Sequence, residues 1–133
     1  MCSVEAGKIV AENDLAAAFR DGFPVSPGHT LVITKRHAAT WFDATAEERL
    51  AVFDLVDEVK TSLDAELHPD GFNIGFNVGK AAGQTVFHLH VHVIPRFTGD
   101  VDDPTGGVRL VVPDKGNYKR TGFVPSSSNS EDL

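Results

Sequence analysis

Apolar residues between Thr85 and Ile94 fall on every second position, with Phe87, Leu89, Val91 and Val93 alternating with His88, His90 and His92. A period of two is that of a β-strand, whose successive side chains point to opposite faces, so a strand is predicted over residues 85–94. Gly71 to Val78 alternates in the same way, with Phe72, Ile74, Phe76 and Val78 on one side and Asn73, Gly75 and Asn77 on the other. Gly79-Lys80-Ala81-Ala82-Gly83-Gln84 makes a turn between them, and the two segments read as one hairpin. If their apolar sets share a core, the three histidines and the two asparagines share the opposite, polar face.

A different period governs the middle of the chain. Leu50, Phe53, Val56, Val59, Leu63 and Leu67 recur every three or four residues, which predicts a helix over residues 46–67 with these side chains in the core. Thr45-Ala46-Glu47-Glu48 has the spacing of a capping box at its start, and His68-Pro69-Asp70-Gly71 stops it. Upstream, Lys8–Ala11 and Leu15–Phe19 flank Glu12-Asn13-Asp14 and suggest a hairpin, although the second run is alanine-rich enough to be helical. Arg20 to Gly28 is a shaped loop rich in proline and glycine, and Thr30–Thr34 resumes as a strand. With 133 residues, one core is expected: a single domain over residues 1–124. Residues 125–133 carry the serine, asparagine and acid of a disordered tail.

Charge and composition narrow the partners. A formal net charge of -7 argues against a basic groove for polynucleotides, so an anionic ligand must be held by local groups. Cys2 is the single cysteine, which rules out an internal disulfide framework and fits a reducing compartment, with cytoplasm the default. No apolar run approaches the ~18 residues of a membrane span, and the N-terminus lacks a signal-peptide core.

Three imidazoles on one strand face call for a chemical reason, because a solvated face normally mixes Thr, Lys and Glu. A metal site is one alternative, but His88 and His92 would lie about 13 Å apart along a strand, too far for one ion. Only neighbouring histidines could chelate, with further ligands from His29, His37 or carboxylates. Nucleophilic catalysis uses the same residues better: an imidazole, with an ordinary pKa near ~6.5, offers a lone pair at neutral pH without a separate base. His90 has an imidazole on either side, one to fix its tautomer and one to donate to a leaving group. The preceding glycine-rich turn, with Gln84 and Thr85, can bring donors to phosphate oxygens, although it lacks the ending of a P-loop.

Gly83-Gln84-Thr85-Val86-Phe87-His88-Leu89-His90-Val91-His92-Val93-Ile94-Pro95-Arg96 resembles the signature of the histidine-triad (HIT) superfamily, three histidines spaced by apolar residues. Phe23 to Ile33 is similar to the family's first block, and the likeness runs from about Ile9 to Gly99. It implies an α+β fold, a mainly antiparallel sheet of about five strands with one long helix and a short one, usually paired as a homodimer. It also implies that His90 is the nucleophile, that His92 hydrogen-bonds the α-phosphate and leaving group, and that His88 orients the site. By the same resemblance Asp21 meets the ribose, His29 lies near the phosphates, Asn77 contacts the bridging phosphates, and Gln84 and Thr85 hold phosphate oxygens. Asp21 can equally cap a turn, and Asn73 and Asn77 can simply satisfy backbone groups. His37 reads as a surface residue. Transferase branches tend to carry Gln where His92 stands, which favours hydrolysis, and the strand with Gly99-Asp100 is most similar to the diadenosine polyphosphate hydrolase branch. Zinc-binding relatives have a second cysteine near the position of Cys2, so a structural zinc is not expected.

The expectation is therefore a cytoplasmic nucleotide hydrolase, cleaving dinucleoside polyphosphates or related AMP conjugates at the α-phosphorus through a nucleotidyl-histidine. The alternatives are a nucleoside phosphoramidase, a nucleotide-binding sensor or scaffold with little turnover, and a metal-dependent hydrolase. No cofactor and no protein metal site are expected, although a divalent cation can accompany the substrate phosphates. An adenine nucleotide is the expected partner, with no polynucleotide and no membrane.

Overall fold

A computed structural model describes residues 8–119; Cys2 and the tail expected over residues 125–133 lie outside them. The described chain divides at Phe97 into two compact units. The first carries a five-stranded sheet in the order β1-β2-β3-β5-β4, with every neighbouring pair antiparallel. Its strands are β1 (Ile9–Glu12), β2 (Ala16–Arg20), β3 (Thr30–Thr34), β4 (Gly71–Gly75) and β5 (His90–Arg96). The long helix α1 (Ala46–Leu67) covers one face. The second unit holds a short 3-10 turn, Gly107–Val111, and the four-residue helix α2, Pro113–Gly116.

Local chemistry explains where these elements begin and end. Asn13 Oδ1 accepts from the N–H groups of Leu15 and Ala16 and closes the β1–β2 turn, which settles the alanine-rich run as strand rather than helix. Helix α1 starts on the capping box read from the sequence: Glu48 N–H donates to Thr45 Oγ1, and the Glu48 carboxylate accepts from Thr45 N–H. It ends at His68, whose left-handed backbone (φ 50°) turns the chain before Pro69.

The core lies between α1 and one sheet face: Val52, Leu55, Val56, Val59 and Leu63 of the helix pack on Ala16, Ala18, Val32, Val91 and Val93. The predicted helix face needs correction here. Leu50 and Phe53 are 63% and 49% exposed and Leu67 is also exposed, whereas Val52 and Leu55 are buried. The apolar positions make a stripe broader than the sheet can cover, and the strands beneath choose which part of it is buried.

A second correction concerns the histidine strand. It begins at His90, not at Thr85, because residues 84–89 dock on the loop after β3 instead of joining the ladder. Leu89 N–H donates to Ala38 O at 2.7 Å and the Gln84 amide donates to Ala39 O at 2.7 Å. Alternation continues past the end of the strand, so it does not mark where pairing stops. Strand β4 likewise ends at Gly75, short of Asn77, and at this sheet edge Ile74 and Val78 are exposed.

Candidate active site

The β3–β5 register places Leu31 opposite His92 and Ile33 opposite His90. Paired residues of an antiparallel ladder share a face. His90 and His92 therefore stand on the side of the sheet away from α1, beside the buried apolar cluster of Ala17, Phe19, Leu31 and Ile33. Their rings meet edge to face with centroids 5.1 Å apart.

Backbone groups fix the tautomers of this pair. His90 Nδ1 lies 2.8 Å from the carbonyl oxygen of His88. A carbonyl can only accept, so Nδ1–H donates and the lone pair of neutral His90 sits on Nε2. The reverse holds at His29, whose Nδ1 accepts from Val25 N–H at 3.2 Å. Neutral His29 then carries its hydrogen on Nε2, which lies 3.0 Å from His92 Nδ1. Accepting there, His92 keeps its own hydrogen on Nε2. An imidazole lone pair thus stands next to an imidazole donor. Burial among apolar neighbours lowers the pKa of His29 and of His92, which keeps both rings neutral at pH 7; the Asp21 carboxylate opposes this at His29.

Asp21 does two things. Its Oδ1 accepts from Phe23 N–H at 2.8 Å, the turn-capping role open to it in the sequence, and its Oδ2 lies 3.4 Å from His29 Nε2. Donor atoms of Asp21, His29 and His92 all fall within 4.8 Å of one another, a spacing that can suit a metal ion. The Val25 amide weighs against it: an ion on His29 Nε2 would force the proton onto Nδ1, where it would face another N–H.

The other predicted residues divide. His88 is 2% exposed and sits apart from the polar face; its Nε2–H donates to Thr34 O at 2.7 Å, and its ring lies 5.2 Å from that of His37. Burial lowers its pKa. It orients His90 through its main-chain carbonyl. Gln84 is buried with both amide hydrogens engaged, on Ala39 O and Val86 O, while its oxygen accepts from Gly79 N–H. Its side chain shapes the loop, and no amide hydrogen is left for a phosphate. Thr85 is exposed in the same segment, and Asn77 lies just beyond β4, half-buried and with no hydrogen-bond partner among the described residues. Asn73 accepts from Arg96 Nη1 at 2.7 Å. Sequence reasoning missed Val25, because a backbone amide has no residue signature. It also missed the contacts from His29 to Asp21 and His92.

An open antiparallel sheet backed by one long helix and carrying paired histidines of opposite tautomer defines a histidine-triad fold and site. The HIT domain family model matches residues 3–99, and the chain belongs to that family of nucleotide-binding proteins and hydrolases. It is 43% identical over 100 residues to an uncharacterized HIT-like protein of Mycoplasma pneumoniae, covering 72% of this chain and 69% of that protein. It is 34% identical over 112 residues to the AP-4-A phosphorylase of Mycobacterium tuberculosis, covering 82% of this chain and 57% of that enzyme. The histidine triad nucleotide-binding protein of Sulfolobus tokodaii aligns with a TM-score of 0.67 and 38% identity, over 72% of this chain and 64% of that one. The Plasmodium falciparum diadenosine triphosphate hydrolase aligns with a TM-score of 0.70 and 27% identity, over 75% and 68%. No helix among the described residues is long and apolar enough to cross a membrane.

Proposed function

We propose that the protein hydrolyses AMP conjugates, dinucleoside polyphosphates foremost, by two displacements at the α-phosphorus. The observation that carries this reading is the pairing of tautomers, with the His90 lone pair on Nε2 and the His92 hydrogen on Nε2. In the first displacement His90 Nε2 forms a bond to phosphorus while the bond to the leaving group breaks, and His92 Nε2–H gives its proton to the departing atom. In the second, water attacks the nucleotidyl-histidine, returns a proton to His92 and frees His90 with release of AMP. Positioning and neutralisation of phosphate charge supply most of the rate.

The preference for dinucleoside polyphosphates over nucleoside phosphoramidates is supported by the two relatives whose names specify diadenosine substrates. Water as acceptor is supported by a histidine, rather than glutamine, at position 92. The protein is read as a cytoplasmic homodimer that needs no resident metal, with any divalent cation travelling on the substrate phosphates.

Mass spectrometry of protein quenched in alkaline denaturant during turnover of diadenosine polyphosphates and AMP phosphoramidates tests the proposal. An AMP adduct on His90, absent from His90→Ala, is expected. Binding without adduct or product would instead make the chain a nucleotide sensor, and turnover that requires a metal ion bound to the protein itself would make it a metal-dependent hydrolase. With diadenosine tetraphosphate and added inorganic phosphate the products should be AMP and ATP; ADP in place of AMP would identify a phosphorylase.

A further inference from the structure

We infer that Asp21 couples recognition of the substrate's sugar hydroxyls to the placement of the proton on His92. Its catalytic consequence rests on the hydrolase reading above. His29 is held to one tautomer by the Val25 N–H, so its Nε2 has a single hydrogen to give. Two acceptors lie near it: His92 Nδ1 at 3.0 Å, to which the hydrogen bond runs, and Asp21 Oδ2, 3.4 Å from the same nitrogen. Donated to His92, it keeps the His92 proton on Nε2. Donated to Asp21, it leaves His92 Nδ1 without a donor; the His92 proton can then move to Nδ1, and Nε2 loses the hydrogen a leaving group needs. A partly exposed carboxylate and a half-buried imidazole are therefore placed to compete for one proton.

The competition is open to control by a ligand. Asp21 Oδ1 is committed to Phe23 N–H, but the side chain is 17% exposed and Oδ2 has lone pairs to spare. A neutral vicinal diol, the 2′,3′-hydroxyls of a ribose, donates to a carboxylate without adding charge. Once those hydroxyls satisfy Asp21, the His29 hydrogen passes wholly to His92. A correctly seated sugar thereby prepares the proton that the departing group receives, and Asp21 acts as a positioning residue as well as a binding one.

Nuclear magnetic resonance of protein carrying ¹⁵N-labelled histidine reads the tautomer of His92 directly, with AMP and 2′,3′-dideoxy-AMP as probes. AMP should raise the Nε2–H form of His92 above its level in free protein, and the dideoxy analogue should leave it unchanged. Asp21→Asn keeps an oxygen for Phe23 N–H and turns an amide N–H toward His29; His92 should then hold its hydrogen on Nε2 in all three states. The same His92 tautomer in free, AMP-bound and dideoxy-bound wild type overturns the coupling.

Kinetics give a second arm. Removing the hydroxyls from a diadenosine substrate should lower kcat about tenfold in wild type, and the ratio should fall toward one in Asp21→Asn while KM stays sensitive to the sugar. An effect confined to KM in wild type also overturns the coupling. A tautomer response without turnover of any AMP conjugate supports the coupling and sinks the hydrolase reading.

Discussion

His29 Nε2 meets His92 Nδ1 at 3.0 Å across 63 positions of sequence, and this contact decides which nitrogen of His92 faces a ligand. Without His29, the Nδ1 of half-buried His92 loses its donor and the ring is free to change tautomer. His29→Ala should therefore lower kcat by about 10- to 100-fold, the size of losing a hydrogen bond to a buried polar group, with a smaller change in KM. His29→Gln, whose amide N–H can occupy the Nε2 position, should recover part of the loss. Steady-state kinetics on the three proteins check this; equal losses of kcat in both variants would refute it.

His88 acts on His90 through its carbonyl, which every substitution at position 88 retains. His88→Ala should leave the His90 tautomer in place and cost mainly stability, because it opens a cavity and frees the Thr34 carbonyl. The expected loss is about 2 kcal/mol, read from chemical denaturation. Adduct formation on His90 should persist in the folded variant. A folded His88→Ala protein unable to form adduct would show that the ring itself does chemistry.

How much of this was legible in the sequence follows the range of the interactions. Helix α1 runs from Ala46 to Leu67 as predicted, because its caps, Thr45 with Glu48 and His68 before Pro69, are local. Strand β3 matches its apolar run for the same reason, and alternation correctly put His90 and His92 on one face. His88 shares their parity but not their surroundings, since bonds from Gln84 and Leu89 to the distant loop at residues 38–39 hold it off the sheet. The burial of Val52 and Leu55 in place of Leu50 and Phe53 is likewise decided by the sheet beneath them. The His29–His92 bond depends on the β3–β5 register, which no local pattern contains.

Stability should depend on pH in two separate windows. Burial lowers the pKa of His29, His88 and His92 below that of the unfolded chain, so the unfolded state binds more protons as pH falls past ~6.5. Their contribution is complete above that value and declines below it. Glu48 behaves alike at lower pH: its hydrogen bonds to Arg36 hold its pKa at about 2 against 4.5, so its contribution is full above 4.5 and lost toward 2. Thermal unfolding between pH 7 and 3 should show a first fall in Tm, reduced in His92→Gln, and a second, reduced in Glu48→Gln. A Tm flat from pH 7 to 5 would contradict the first window.

Gly28 ties the loop that carries Val25 to strand β3 and the helix end. Its φ is +85°, a left-handed backbone that side-chain-bearing residues rarely adopt. A Cβ built there falls 2.8 Å from Leu63 Cδ2, 2.8 Å from Leu67 Cδ1 and 3.3 Å from Pro95 Cγ. Leu63 is fully buried, so it cannot yield without disturbing the core. Gly28→Ala adds backbone strain to overpacking and should cost about 3 kcal/mol. Gly22→Ala, on the same loop with nothing within 4 Å of its added methyl, should stay within about 0.5 kcal/mol of wild type. Because His29 follows Gly28 directly, the first variant should also lose kcat in whatever fraction remains folded, and the second should not. Equal Tm values for the two variants would show that the loop shifts freely and that its hold on His29 is loose.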